Sequence, residues 1–150
     1  MKKIFILCLS LFVLFGCVPT KQIDLGKQVT LSFFYIKTCS ECKAFKKDVI
    51  PLLEETFKED IQIQQYDLDE EATVAKYDEI IDSLHEFDEE FYGNGPFIVL
   101  EDYFAFLGYT PGDEDYLIDD IQKAIQGEEL SYELEGLRFM FEEALWKKFY

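Results

Sequence analysis

Cys39 and Cys42 stand three positions apart in FFYIKTCSECKAFKKDVIPLL, Phe33 to Leu53, where a strand-like run gives way to a helix-like one. That spacing permits a dithiol–disulfide centre, half of a metal site, or two inert buried thiols. A cysteine opening a helix gains from unsatisfied N–H groups and from the helix dipole, both of which favour thiolate over thiol. Cys39 holds that position. Cys42, one turn on, is placed to attack a mixed disulfide formed on Cys39, so one rigid element carries nucleophile and resolving thiol. The flanking charges act in opposite senses: Glu41 raises the Cys39 pKa, whereas Lys37 and Lys43 lower it. The charges alone do not fix the sign of the sum; a net destabilised thiolate would favour the disulfide and make the couple a reductant, which is the expected direction.

The competing chemistries find less in the chain. A zinc site takes about three or four protein ligands, and the single histidine, His85, falls on an acid-rich helical segment where it reads as solvated. Copper(I) held by the two sulfurs alone is the remaining metal option. If the thiols are merely buried, alkylating reagents will not reach Cys39 in the folded protein.

The elements around the pair follow from apolar periodicity. Val29 to Ile36 is β-branched, aromatic and continuous, which suits a central strand buried on both faces. Cys42, Phe45, Val49 and Leu53 recur at helical spacing, and Pro51 should kink that helix because it has no N–H for the Lys47 carbonyl. Ile61 to Leu68 alternates as a strand. The spacing predicts a second helix from Glu71 through Phe91, with Val74, Tyr77, Ile81, Leu84 and Phe91 on one stripe, stopped by YGNGP at 92–96. Phe97 to Tyr109 reads as strand, turn near Glu101-Asp102, and strand; a helix with acids in its first turn follows to Gly127. GLRFMFEEALWKKFY, 136–150, reads as a terminal helix with Leu137, Phe141, Ala144, Leu145 and Trp146 near one face. The order is β-α-β-α-β-β-α, an α/β chain.

Composition bounds what such a chain can meet. Its 150 residues are 49% hydrophobic and 17% aromatic, enough for one ordinary domain. With 31 acidic against 14 basic side chains, net −17, it repels phosphate backbones and anionic headgroups, which argues against nucleic acid. The N-terminus differs. MKK precedes the apolar run Ile4 to Phe15, shorter than the roughly 20 residues of a bilayer-spanning helix, so it reads as the core of an export signal. LFGC at 14–17 resembles the lipobox of bacterial lipoproteins, with Phe15 bulkier than that family usually shows. The resemblance implies that residues 1–16 are removed, that Cys17 is acylated, and that the protein is anchored to the extracytoplasmic face of the cell membrane. Cys8 leaves with the signal, and Cys39 and Cys42 remain as the thiols. Residues 17–28 read as a tether reaching about 35–40 Å when extended.

The order of elements, CSEC opening the first helix, and GPFIVL opening the third strand resemble the thioredoxin-like fold over Val29 to Gly127, with 128–150 as a helical extension. The resemblance implies a central four-stranded mixed sheet and an extra C-terminal helix. It implies Cys39 as nucleophile and Cys42 as resolver, and a cis proline at Pro96 beside them. Gly95, Pro96 and Thr38 would border a groove for an extended substrate. It further implies protein disulfides as substrates, no organic cofactor, no metal, and a membrane-embedded electron donor if the protein reduces. The chain departs from that family at Thr38, Ser40 and Glu41, where thioredoxins carry Trp, Gly and Pro, and at Phe33, where they carry a buried Asp. A different class of function resembles bacteriocin-transport accessory proteins, in which the same groove serves binding and redox turnover is incidental.

Overall fold

The computed structural model describes residues 21–134 and 138–147. The apolar run Ile4 to Phe15 read as a signal segment, Cys8 and Cys17 lie outside them. The first strand, β1 (Val29–Tyr35), is followed by two short helices, α1 (Ser40–Ala44) and α2 (Ile50–Phe57), then β2 (Ile61–Asp67) and α3 (Glu71–Asp82). The hairpin β3 (Phe97–Leu100) and β4 (Phe104–Leu107), helix α4 (Glu114–Gln126), strand β5 (Arg138–Met140) and helix α5 (Glu142–Lys147) complete the order.

The strands form one mixed sheet in the order β2-β1-β3-β4-β5. β1 runs parallel to β2, and the remaining pairs are antiparallel. Alternation along β1 divides the core into two. Leu31 and Phe33 face a layer with Phe45, Leu53, Ile98 and Ile121, whereas Phe34 joins Tyr77, Phe97 and Val99 on the other face. The long apolar run of β1 is thus buried on both sides, as its continuity predicts. Phe33, six residues before Cys39, stacks on Phe45 at 4.9 Å and is fully buried, so an aromatic ring fills that part of the core.

Cys42, Phe45, Val49 and Leu53 are buried along one stripe. Between α1 and α2 the backbone widens into one π turn, Phe45–Val49, and the Ile50 N–H bonds the Phe45 carbonyl five residues back. Pro51 then opens α2, where a missing N–H is tolerated. The predicted interruption therefore lies in the turn before the proline.

The structure corrects the sequence reading in two regions. Helix α3 stops at Asp82 instead of Phe91, and Thr73, Tyr77 and Ile80 form its buried stripe while Val74 is exposed. Beyond it the backbone finds tertiary partners: His85 N–H donates to the Met140 carbonyl at 2.8 Å, and Leu84 pairs with Phe141. His85 consequently lies past the helix, not on it. The second correction is the strand count. Among the described residues the sheet has five strands, because Arg138–Met140, expected to be helical, pairs antiparallel with Phe104–Phe106. A buried ion pair fixes that strand: Arg138 Nη1 donates to Asp120 Oδ2 at 2.5 Å and Nη2 to the Ser131 carbonyl at 2.6 Å, while Ser131 N–H donates to Asp120 Oδ1 at 2.8 Å. Among the described residues of this segment, helix runs over Glu142–Lys147.

The chain ahead of β1 is held to the body. Ile23 N–H donates to the Thr56 carbonyl at 2.8 Å and Leu25 N–H to Asp60 Oδ2 at 2.9 Å, and both side chains pack on the core. Gln28 Nε2 donates to the Glu59 carbonyl at 3.1 Å. No helix among the described residues is long and apolar enough to cross a membrane.

Candidate functional site

The site begins where β1 hands the chain to α1. Cys39 has extended backbone, φ −68° and ψ 125°, and is the N-cap of α1. Ser, Thr, Asp or Asn usually supplies the capping oxygen at such a position; here sulfur does, with Cys42 N–H donating to Cys39 Sγ at 3.0 Å. Cys39 N–H donates back to the Ile36 carbonyl at 3.1 Å, which pins the turn. The two cysteines are joined as a disulfide, with Cα atoms 5.3 Å apart. Their environments differ: Cys42 is 2% exposed and part of the core, whereas Cys39 is half-buried and meets solvent. In the reduced pair the same N–H would donate to a Cys39 thiolate, a charge-assisted bond that stabilises the anion.

The segment before β3 closes over the pair. The Gly95–Pro96 peptide bond is cis, the geometry the fold resemblance implies for Pro96. Cys39 Sγ lies 3.5 Å from the Gly95 carbonyl oxygen. A Cβ on Gly95 would stand 3.3 Å from Cys42 Sγ and 3.6 Å from the Phe34 carbonyl oxygen, so only glycine leaves the sulfur its space. The Pro96 carbonyl accepts from Gly108 N–H at 2.8 Å and links this segment to the end of β4. Cys39, Cys42, Gly95 and Pro96 are thereby brought together, with Thr38 exposed at the rim.

The three charged neighbours divide. Glu41 and Lys43 are exposed on α1. Lys37 instead forms an ion pair with Asp67, whose carboxylate is buried at the end of β2, and its ammonium lies 3.9 Å from Glu70. The hydrogen bond and charge of Asp67 push Lys37 above the ordinary lysine range, and the Lys37 hydrogen bond holds Asp67 below the ordinary carboxylate range. Asp67 Oδ1 also accepts from Asp69 N–H at 3.0 Å. Sequence reasoning missed Asp67. Its signal is an acid ending the otherwise uncharged run IQIQQY, and parallel register sets it beside Tyr35, two residues before Lys37.

An open groove of about 390 Å³ adjoins the pair, lined by Glu41, Leu107, Gly108, Tyr109, Asp113 and Glu133 among others. Tyr109 forms part of its floor. Burial, then the neighbouring carboxylate of Glu114, pushes the Tyr109 phenol up to about 12. Residues beyond the expected groove set, Gly108 and Tyr109 after β4 and Glu133 from the C-terminal extension, thus line a groove that reaches α1 at Glu41. A separate cavity of about 340 Å³, between Ala124, Ile125, Leu130 and Met140, lies by Lys27 and Asp102 at the other end of the sheet and holds neither cysteine nor histidine. No three His, Cys, Asp or Glu side chains among the described residues are grouped to hold a metal ion.

Neither models of protein families, nor curated proteins, nor solved structures yield a match to this chain.

Proposed function

We propose that the protein is a thioredoxin-like thiol–disulfide oxidoreductase, anchored outside the cytoplasm through acylated Cys17, that reduces disulfides of envelope or secreted proteins. One observation carries the reading: a half-exposed Cys39 at a helix N-cap, capped by the Cys42 N–H and bonded to a buried Cys42. A site for repeated thiol exchange needs that asymmetry, one sulfur for the client and one withheld from solvent.

In the forward direction the Cys39 thiolate attacks one sulfur of a client disulfide, forming a mixed disulfide and releasing a client thiolate. The Cys42 thiol, losing its proton, then attacks Cys39 Sγ; the Cys39–Cys42 bond forms and the second client thiolate leaves. Two electrons pass to the client, and the protein ends oxidised. Another dithiol must return them, through the same exchange in reverse. Phe33 supplies no carboxylate beneath the pair, so water or the leaving thiolate takes the Cys42 proton.

The test is trapping. Cys42→Ala should accumulate mixed disulfides with envelope proteins, and the reduced wild type should cleave a disulfide-linked test peptide while Cys39→Ser does not. Equal cleavage by Cys39→Ser would sink the proposal. The groove reaching from Glu41 to Glu133 and Leu134 favours a second reading, an accessory protein that binds a partner there. Under it, Cys39→Ser leaves the cellular phenotype intact.

A further inference from the structure

The disulfide and the docked segment Ile23–Gln28 lie at opposite ends of the domain. Cys39 caps the first turn of the helical run, and Thr56, in its last turn, receives the Ile23 N–H. From Ser40 to Phe57 that run has a length of about 27 Å at the α-helical rise. Strand β1 spans the same direction: Val29 pairs with Ile61 near the docked segment, and Phe34 pairs with Phe97 beside the cysteines.

We propose that the docked segment Ile23–Gln28 holds the anchored protein with its disulfide end turned away from the bilayer, so that its thiol partners are protein segments standing in the aqueous phase. The inference rests on the reading that the N-terminus is held at a membrane. It is the same for an acyl chain on Cys17 and for an uncleaved Ile4–Phe15 run, since both leave the surface near Cys17.

Reach decides the matter. Were residues 17–28 free, their extended length of about 35–40 Å would exceed the roughly 27 Å helical run, and the domain could turn its cysteines onto the bilayer. Docking removes the full inversion. Between Cys17 and Ile23 only Val18–Gln22 remain, a span of about 20 Å at full stretch, less than the distance to be covered. Backbone bonds from Ile23 and Leu25, with both side chains packed on the core, keep the segment docked. Docking thus bars the upright inversion that would set Cys39 squarely on the bilayer, and favours a donor that raises its thiols into solvent over one that keeps them within the bilayer.

The experiment places a fluorescent amino acid in the full chain at Thr110, exposed near the disulfide, or at Glu59, exposed near Ile23. Each protein is reconstituted into phosphatidylcholine vesicles bearing a headgroup energy acceptor. Transfer from position 59 should exceed that from position 110 several-fold, and a 12-residue Gly-Ser insertion after Pro19 should shrink the difference by letting the domain turn. Equal transfer, or stronger transfer from position 110, overturns the proposal. If the chain does not stay on vesicles, the anchor reading itself fails. Coupling Cys17 of a Cys8→Ser chain to a maleimide lipid, with Cys39 and Cys42 kept as the disulfide, then puts the same comparison to the docking geometry, with the same two outcomes.

Discussion

Gly95 stands directly over Cys42: a Cβ there would approach Cys42 Sγ to 3.3 Å, while the glycine carbonyl oxygen lies 3.5 Å from Cys39 Sγ. The segment that would guide a substrate and the sulfur that would release it share one contact.

Gly95→Ala tests that contact. Crowding a packed site costs about 1–3 kcal/mol, whereas the stiffer unfolded chain returns about 0.4–1 kcal/mol, so a net loss is expected. The urea midpoint of the oxidised protein should fall and mixed-disulfide formation by Cys42→Ala should slow. An unchanged or raised midpoint would show that the sulfur gives way freely.

The Lys37–Asp67 pair makes a prediction about pH. Asp67 is held below its ordinary range by Lys37, so its contribution is present above about pH 4 and is lost as pH falls through its lower folded value. Lys37 is held above its ordinary range, so its contribution is present below about pH 10 and is lost as pH rises through its higher folded value. Asp67→Asn should therefore lower the urea midpoint at pH 7, and the gap from wild type should close both as pH falls below the ordinary carboxylate range and as it rises above the ordinary lysine range. A gap that stays constant across that range would refute the pairing.

Arg138→Met leaves the fully buried Asp120 carboxylate without its counter-charge. Breaking one side of such a pair costs about 3–5 kcal/mol, and replacing both partners with apolar residues costs much less. The thermal midpoint of Arg138→Met should drop sharply and recover in part in Asp120→Leu/Arg138→Met. Without that recovery, the pair is not what holds the C-terminal strand.

Several features were legible in the chain because they are local. The apolar run of β1, the Cys39–Cys42 spacing at a strand–helix junction, and the stripe through Phe45, Val49 and Leu53 depend on backbone period and on neighbours a few residues away. The turn at Glu101–Asp102 and the acids opening α4 are of the same kind. Periodicity failed where a distant segment offered the backbone a better partner. Arg138–Met140 has helix-compatible spacing, yet β4 presents an edge and Asp120 a buried charge, so the segment became a strand. That strand in turn drew the backbone of Leu84 and His85 out of a helical path.

Sequence by itself therefore determined an α/β chain with a dithiol at the head of its first helix and an acidic surface. Tertiary structure alone decided the fifth strand, the Lys37–Asp67 pair beside the site, the closeness of Gly95 to Cys42, and the docking of Ile23–Gln28 at the far end. The division has a physical cause. Short-range period and charge are written in consecutive residues, whereas a close contact or ion pair across 18 to 56 residues exists only once the sheet has set its register.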